Sequence, residues 1–243
     1  MSGHSHWAGI KYKKGLADIK KSQAFSKTAR EITIASREGS NPDFNSKLRL
    51  AIEKAKSIRM PTENIERAIK RGTGELAGEK LEEILFEAYG PGGIAIIIEG
   101  ITDNKNRTLG EIKQILNQSG GKLVSEGAVK WMFERKGCIT VNCKLQMENL
   151  QKREKLEMAA IEAGAEDIYW HDEFLDIYTK IEDLEKVKKN LEERKVKIES
   201  ASLDWVAKEE IGLDEKTKGA CQKLFEALDE SDSVQEIYSN LKI

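Results

Sequence analysis

The spacing of apolar residues changes near residue 76, and this change restricts what the chain can fold into. Before it, apolar residues recur with a helical period, as Phe25, Ala29 and Ile32 do. After it, β-branched runs such as residues 94–101 alternate with helical segments and with turns rich in Gly and Pro. The two patterns in succession predict the α+β class, with an N-terminal three-helix domain followed by two α/β domains.

Residues 1–75 predict a basic arm and a helical domain, because Gly and Pro signals separate three apolar helical stripes. Residues 137–204 read as strand, helix, strand, strand, helix, strand, which is the βαββαβ order of a ferredoxin-like domain. The strands and helix that follow need a sheet to join, and residues 76–136 predict one. We therefore expect residues 76–136 plus 205–243 to form one α/β domain, with the ferredoxin-like domain inserted in it.

Three local patterns refine the α/β segment. Thr108 and Glu111 have the spacing of a capping box, which predicts that a helix begins there. Alternating apolar residues predict a strand over residues 128–134. The Gly-rich turn at residues 90–93 precedes a strand rather than a helix, so it predicts a hairpin turn and not a phosphate-binding loop.

The net charge of −2 conceals two segments of opposite charge. Residues 1–75 contain 16 Lys and Arg against eight Asp and Glu, a balance of +8. Residues 76–243 contain 24 Lys and Arg against 34 Asp and Glu, a balance of −10. A basic module beside an acidic body predicts one surface that binds polyanions and another that repels them.

The N-terminal arm mixes cations with aromatic rings. Ammonium groups bind phosphates and release counterions, and aromatic rings stack on unpaired bases. The alternative is a solvated charged surface on which Trp7 only anchors the arm, but the mixture favours contact with nucleic acid. The predicted interface consists of His4, His6, Trp7, Lys11, Tyr12, Lys13, Lys14, Lys20, Lys21, Lys27, Arg30, Arg67, Lys70 and Arg71.

Arg67, Lys70 and Arg71 end the third predicted helix and form a second basic patch. The helix dipole also favours cations at this position by ~0.3–1 kcal/mol, so a purely structural explanation stays open for them. The role of Arg107 is open as well, between an ion pair with Asp103 and contact with a partner.

Enzyme classes find no support in the sequence, which lacks HExxH, Walker A and CxxC motifs. We therefore predict a non-enzymatic protein with no catalytic residues, no metal site and no cofactor. Cys138, Cys143 and Cys221 are predicted to be reduced, buried thiols. The longest aliphatic run, residues 94–98, is far shorter than the ~20 residues of a membrane span. We expect a cytoplasmic protein with neither a membrane partner nor a small-molecule substrate.

Several motifs occur in the order found in one known family. They are Gly3-His4-Ser5-x-Trp7, Ile10-Lys11-x-Lys13-Lys14, Met60-Pro61-x-x-Asn64-Ile65-Glu66-Arg67, Tyr89-Gly90-Pro91-Gly92-Gly93, Thr102-Asp103-Asn104-x-Asn106-Arg107-Thr108 and Phe133-Glu134-Arg135-Lys136-Gly137. With them the chain closely resembles the YebC family over nearly its whole length. The resemblance implies a helical domain with two α/β domains, and a transcriptional regulator that binds DNA. It also implies kinship with mitochondrial translational activators and with proteins tied to the ribosome.

Three functions remain open at this point. The leading prediction is a regulator of gene expression that binds DNA through its arm and helical domain. The second is a translation factor that binds ribosomal RNA or the ribosome, because aromatic stacking suits RNA and the acidic body opposes readout of the DNA major groove. The third is a protein-interaction scaffold whose basic module binds an acidic protein.

Overall fold

The computed structural model of the protein describes residues 5–6, 20–143, 150–171 and 174–242. These residues form two compact units. The larger unit contains residues 5–131 and 212–241, and the second unit contains residues 132–211 together with Lys242. The predicted inserted domain lies inside the second unit, while the individual domain boundaries remain predictions.

Both units combine helices with an antiparallel sheet, so the predicted α+β class is confirmed. In chain order the helices are α1 (Lys20–Ala35), α2 (Ser46–Ser57), α3 (Thr62–Gly72), α4 (Lys105–Gln118), α5 (Leu150–Ala163), α6 (Leu184–Glu193) and α7 (Glu215–Asp229). The strands are β1 (Ser5–His6), β2 (Glu82–Tyr89), β3 (Ala95–Thr102), β4 (Lys122–Val124), β5 (Phe133–Asn142), β6 (Asp167–His171), β7 (Phe174–Thr179), β8 (Ile198–Ala207) and β9 (Val234–Ser239).

Helices α1, α2 and α3 form the predicted helical domain around a small apolar core. Ile32, Leu48 and Ala55 are fully buried there, and they come from α1 and α2. Helix α3 adds Ile65 and Ala68 from its apolar stripe. The three helices therefore bury the faces that their apolar spacing predicts.

The sheet of the larger unit has the strand order β1-β9-β3-β2-β4, with every neighbouring pair antiparallel. Its core joins isoleucines of β3 to α4 and α7, and Ile96, Ile98, Ile112 and Leu224 are fully buried in it. Strand β9 pairs with β3 from the far end of the chain. The late strand therefore joins the early sheet, as the predicted insertion requires.

The second unit has the strand order β6-β7-β5-β8, which is the sheet order of the ferredoxin-like βαββαβ fold. Helices α5 and α6 contact each other, and α6 contacts β5. Gly137 of β5 approaches α6 so closely that a Cβ there would lie 2.3 Å from Thr179 Oγ1 and 3.0 Å from Leu184 Cβ. The predicted ferredoxin-like fold is confirmed.

The predicted start of α4 is wrong. The helix begins at Lys105, and its N-cap is Asn104, whose side-chain oxygen accepts a hydrogen bond from the Arg107 N–H. Thr108 is fully buried, and its hydroxyl shares a 2.8 Å hydrogen bond with the hydroxyl of Thr102. Burial therefore gives Thr108 a role in packing instead of capping.

The predicted strand over residues 128–134 is also wrong, because Glu87 of β2 binds the backbone of this segment. Glu87 is only 2% exposed, and its carboxylate accepts hydrogen bonds from the N–H groups of Gly127, Val129 and Lys130 at 2.6, 2.7 and 2.8 Å. These donors are therefore not available for strand pairing. A short 3₁₀ helix follows at Lys130–Met132, and β5 begins only at Phe133.

The Glu87 contact also affects the pKa of the carboxylate. Burial by itself would raise the pKa of Glu87, but the hydrogen bonds from Gly127, Val129 and Lys130 outweigh it. The pKa is therefore lowered from its ordinary value, and the group is ionised at neutral pH.

Candidate nucleic-acid interface

The predicted arm lies almost entirely outside the described residues. This holds for His4, Trp7, Lys11, Tyr12, Lys13 and Lys14. The backbone of His6 pairs with Tyr238 in the sheet, and Lys20 begins α1. The arm prediction therefore stays a prediction, and the described part of the interface begins at Lys21.

Two predicted phosphate-binding cations on α1 are used inside the larger unit. The Lys27 side chain is buried, and its Nζ donates to the Asp229 carbonyl oxygen at 2.7 Å and lies 3.3 Å from Asp229 Oδ1. Arg30 Nη1 donates to the carbonyl oxygens of Asp232 at 2.8 Å and Ile101 at 3.3 Å. Both side chains therefore hold α1 against the end of α7 and the segment after it.

Further polar contacts join the helical domain to the sheet of the larger unit. Lys54 Nζ lies 2.8 Å from both Glu31 Oε1 and Glu236 Oε1, and Arg37 donates to the Leu81 carbonyl oxygen at 2.9 Å. Burial raises the pKa of Glu31, and the Lys54 ammonium opposes that shift. The sides of α1 and α2 that carry Glu31 and Lys54 are therefore turned toward β9.

Helix α3, by contrast, presents its predicted cations to solvent. Arg67, Lys70 and Arg71 are exposed, on the side of the helix away from the buried residues Ile65 and Ala68. They lie at i, i+3 and i+4, so they share one helix face. In the described part of the chain none of the three side chains has an ion pair or a hydrogen bond. Lys21 of α1 is exposed too, with its ammonium 5.8 Å from the centre of the Phe25 ring.

The C-terminal ends of α1 and α3 meet at one end of the helical domain. Thr33 Oγ1 donates to the Ala68 carbonyl oxygen at 3.1 Å, and Ser36 Oγ donates to that of Ile69 at 3.3 Å. Gly72 permits this approach, because a Cβ there would lie 1.9 Å from Ser36 Oγ. We call residues 36–47 with residues 69–73 the loop end of the helical domain.

The loop end contains a large apolar side chain that the sequence reading missed. Phe44 is 90% exposed, although Phe25 of the same domain packs against the core. Its only sequence signal is an aromatic residue directly after the turn-forming run Asn41-Pro42-Asp43. Lys70 and Arg71 lie at this same end, so the loop end carries both an exposed aromatic ring and unpaired cations.

The remaining sequence motifs have structural roles. Asp103 forms a bidentate ion pair with Arg107, whose hydrogen bond lowers the pKa of the Asp103 carboxyl. Residues 90–93 form the turn between β2 and β3, as predicted. Cys138, Cys143 and Cys221 are free, buried thiols, and burial raises the pKa of each.

Within the described ranges, no group of three or more His, Cys, Asp or Glu side chains is arranged to hold a metal ion. In the same ranges, no helix combines the length and the apolar composition that a bilayer crossing requires.

Comparison with known proteins gives a consistent result over the whole chain. The family model described as the TACO1/YebC protein N-terminal domain matches residues 5–75, and the model for the TACO1/YebC second and third domain matches residues 81–241. A protein of Halothermothrix orenii named "Probable transcriptional regulatory protein" is 47% identical over 245 residues, which cover 100% of this chain and 96% of that protein. A protein of the same name from Pseudothermotoga lettingae is 49% identical, with 100% and 94% covered.

A solved structure agrees with these matches. The crystal structure of a conserved hypothetical protein from Aquifex aeolicus superposes with a TM-score of 0.89 at 46% identity, and the match covers 98% of this chain and 97% of that one. Sequence and fold thus agree with the resemblance found from the motifs, and the chain belongs to the TACO1/YebC family.

Proposed function

We propose that this protein is a non-enzymatic regulator of gene expression that binds nucleic acid through its helical domain. The observation that carries the proposal is the exposed face of α3, where Arg67, Lys70 and Arg71 have no partner in the described part of the chain. Cations that serve only the fold have partners here, as Lys27 and Arg30 do. Unpaired cations on one helix face suit the phosphates of a nucleic acid.

DNA is the first target that we propose, and the names of the relatives support it. The proteins of Halothermothrix orenii and Pseudothermotoga lettingae are both named probable transcriptional regulatory proteins. The α3 cations would bind the phosphate backbone, and the cations predicted in the basic arm would add phosphate contacts of the same kind. Contacts of this kind give affinity that falls steeply with salt and depends little on sequence.

RNA, in a ribosome-associated translation factor, is the second candidate. The exposed Phe44 ring at the loop end favours it, because unpaired bases that can stack on a ring are commonest in RNA. The acidic balance of residues 76–243 also restricts contact to the basic segment.

The test compares charge variants on duplex DNA and on a structured ribosomal RNA fragment by fluorescence anisotropy at several salt concentrations. The triple variant Arg67→Gln, Lys70→Gln and Arg71→Gln should weaken binding and lower the salt slope by about 2 to 3 on duplex DNA, since each lost phosphate contact removes about 0.9. Its charge-matched control replaces three exposed lysines of α4 and α7 by Gln, namely Lys105, Lys113 and Lys223.

The control should bind like the wild type, because its lysines lie outside the helical domain. Equal losses in both triple variants would mean that only net charge matters, and would contradict the assignment to α3. Tighter binding of the RNA fragment, with RNase-sensitive co-sedimentation with ribosomes, would favour the translation factor. No binding to either nucleic acid at low salt would support the scaffold instead.

A further inference from the structure

Phe44 is held in solvent by a loop that is tied down on both sides. Asn45 is 6% exposed, and its Nδ2 donates to the carbonyl oxygens of Ala35 at 2.7 Å and Gly39 at 2.8 Å. Its Oδ1 accepts a hydrogen bond from the Leu48 N–H at 3.0 Å and so caps α2. The residue next to Phe44 is therefore fixed at three points.

The other side of the loop is equally constrained. The Asp43 N–H donates to Asn41 Oδ1 at 2.9 Å, the Phe44 N–H donates to the Asn41 carbonyl oxygen at 3.2 Å, and Arg49 donates to the Pro42 carbonyl oxygen at 3.0 Å. The backbone on both sides of Phe44 is therefore held while its ring is presented to solvent, which lowers the backbone entropy lost when the ring binds a partner.

The surroundings of the ring indicate what kind of partner it fits. Its neighbours Asn41, Asp43 and Ser46 are polar and exposed, so the ring is not the centre of an apolar patch. A stable protein interface buries about 800 Å² on each partner around a more apolar centre, whereas Phe44 stands among polar neighbours. A single exposed ring suits a flat, small partner such as one nucleobase.

Charge supports the same partner. Residues 20–75 contain 13 Lys and Arg against seven Asp and Glu. Lys70 and Arg71 lie at the loop end with no partner in the described residues, one helix away from the loop. The carbonyl oxygen of Ile69, next to Lys70, accepts the hydrogen bond from Ser36 Oγ, so the end of α3 that carries the two cations is joined to the segment that follows α1.

We propose that Phe44 stacks on an unpaired nucleobase while Lys70 and Arg71 bind the phosphates beside it, which makes the loop end a single-strand binding site. This inference rests on the proposed function, since it assumes that the helical domain binds nucleic acid. It adds a preference that phosphate contacts alone do not give: unpaired strands with bases are bound more tightly than strands without them.

The experiment uses the full chain and two fluorescein-labelled strands of equal length, an oligodeoxythymidine and the same backbone with abasic sites. Wild-type protein should bind the thymidine strand more tightly than the abasic strand. Phe44→Ala should weaken binding of the thymidine strand by about 5- to 150-fold, as loss of one stacked base does, and should leave the abasic strand unaffected. Lys70→Gln with Arg71→Gln should weaken both strands alike.

A second variant reports on the contact directly. Phe44→Trp places an indole at the exposed position, and the thymidine strand should quench the added emission, measured against the wild-type protein with its four other tryptophans. The abasic strand should quench it much less. Thermal unfolding checks that both variants fold, which is expected for a side chain that is 90% exposed.

The outcomes separate the inference from the proposed function. If Phe44→Ala binds both strands as wild type does, or if wild type binds the two strands equally, stacking is wrong while phosphate binding by α3 stands. If wild type binds neither strand nor duplex DNA nor the RNA fragment, the proposed function fails and the stacking site fails with it.

Discussion

The contact between Glu87 and residues 127–130 offers a sharp test of how the larger unit is held together. Glu87→Gln keeps the size of the side chain and removes its charge. Glutamine has a single oxygen acceptor. Its NH₂ group, which takes the place of the second oxygen, would face a backbone N–H and could not accept a hydrogen bond from it. If the amide oxygen takes the place of Oε2, it meets Val129 and Lys130, and the Gly127 N–H loses its acceptor.

The magnitude follows from these three hydrogen bonds. A hydrogen bond to a charged group contributes about 1.5–3 kcal/mol, against about 1 kcal/mol for a neutral one, and an unsatisfied buried donor costs about 1–3 kcal/mol. One lost donor and two weakened bonds sum to about 3 kcal/mol, which is about a 100-fold change in the opening equilibrium of the segment. The carboxylate is only 2% exposed, so water does not replace the lost acceptor.

Amide hydrogen exchange measures this effect at the right place. The amides of Gly127, Val129 and Lys130 should exchange about 100-fold faster in Glu87→Gln, because local opening is the step that is made easier. Glu82→Gln is the matched control, since Glu82 is an exposed carboxylate on the same strand. Exchange in the control should equal that of the wild type. Unchanged exchange at the three amides of Glu87→Gln would refute the assigned role of the carboxylate.

The contribution of Glu87 should also depend on pH. Its pKa in the folded protein is lowered, while an unfolded chain has the ordinary value of about 4.3. The stabilisation is therefore fully present above about pH 4.3 and is lost as the pH falls through the lower, folded pKa. The difference in free energy of unfolding between wild type and Glu87→Gln should be constant at neutral pH and should shrink in acid.

Three further substitutions test packing and capping, each by urea unfolding followed with circular dichroism. Asn45→Ala removes the cap on the Leu48 N–H and two buried donors, and should destabilise the helical domain by about 2–3 kcal/mol; no loss would contradict the anchoring of the loop. Gly137→Ala places a Cβ 2.3 Å from Thr179 Oγ1 and should destabilise the second unit by about 1–3 kcal/mol. Gly110→Ala, an exposed site inside α4 with no atom near the new Cβ, should instead stabilise by about 1 kcal/mol.

The sequence predicted the fold best where each segment has one strong period. Local apolar spacing predicts the βαββαβ order of residues 137–204 and the three helices of the helical domain. The apolar faces that this spacing creates are the faces that the folded protein buries. The errors occur where a distant side chain decides the backbone. Glu87 takes the donors of residues 127–130 from 40 residues away, so the alternation there does not produce a strand. Strand β4 escaped prediction because it is only three residues long.

The candidate site was predicted only in part, because groups that are distant in the sequence decide which cations are paired. Composition identifies the basic segment, but it does not say which cations remain available. Lys27 and Arg30 find acceptors some 200 residues further along the chain, at the end of α7 and in the segment after it, and no local pattern predicts this. Phe44 is exposed because the hydrogen bonds of Asn45 fix the direction of the loop. The α3 cations were predicted from sequence, and the structure adds that no described group neutralises them.

The position of β9 between β1 and β3 has a consequence for biosynthesis. A ribosome releases β3 long before β9, and residues 132–211 of the second unit are made between them, at about 5–20 residues per second. Residues 132–211 are continuous and can complete their own sheet as they emerge. Until β9 is made, the edge of the isoleucine-rich strand β3 stays unpaired. An unpaired apolar edge readily pairs with strands of other chains. Translation that stops before residue 234 would therefore leave a finished second unit attached to an aggregation-prone remainder.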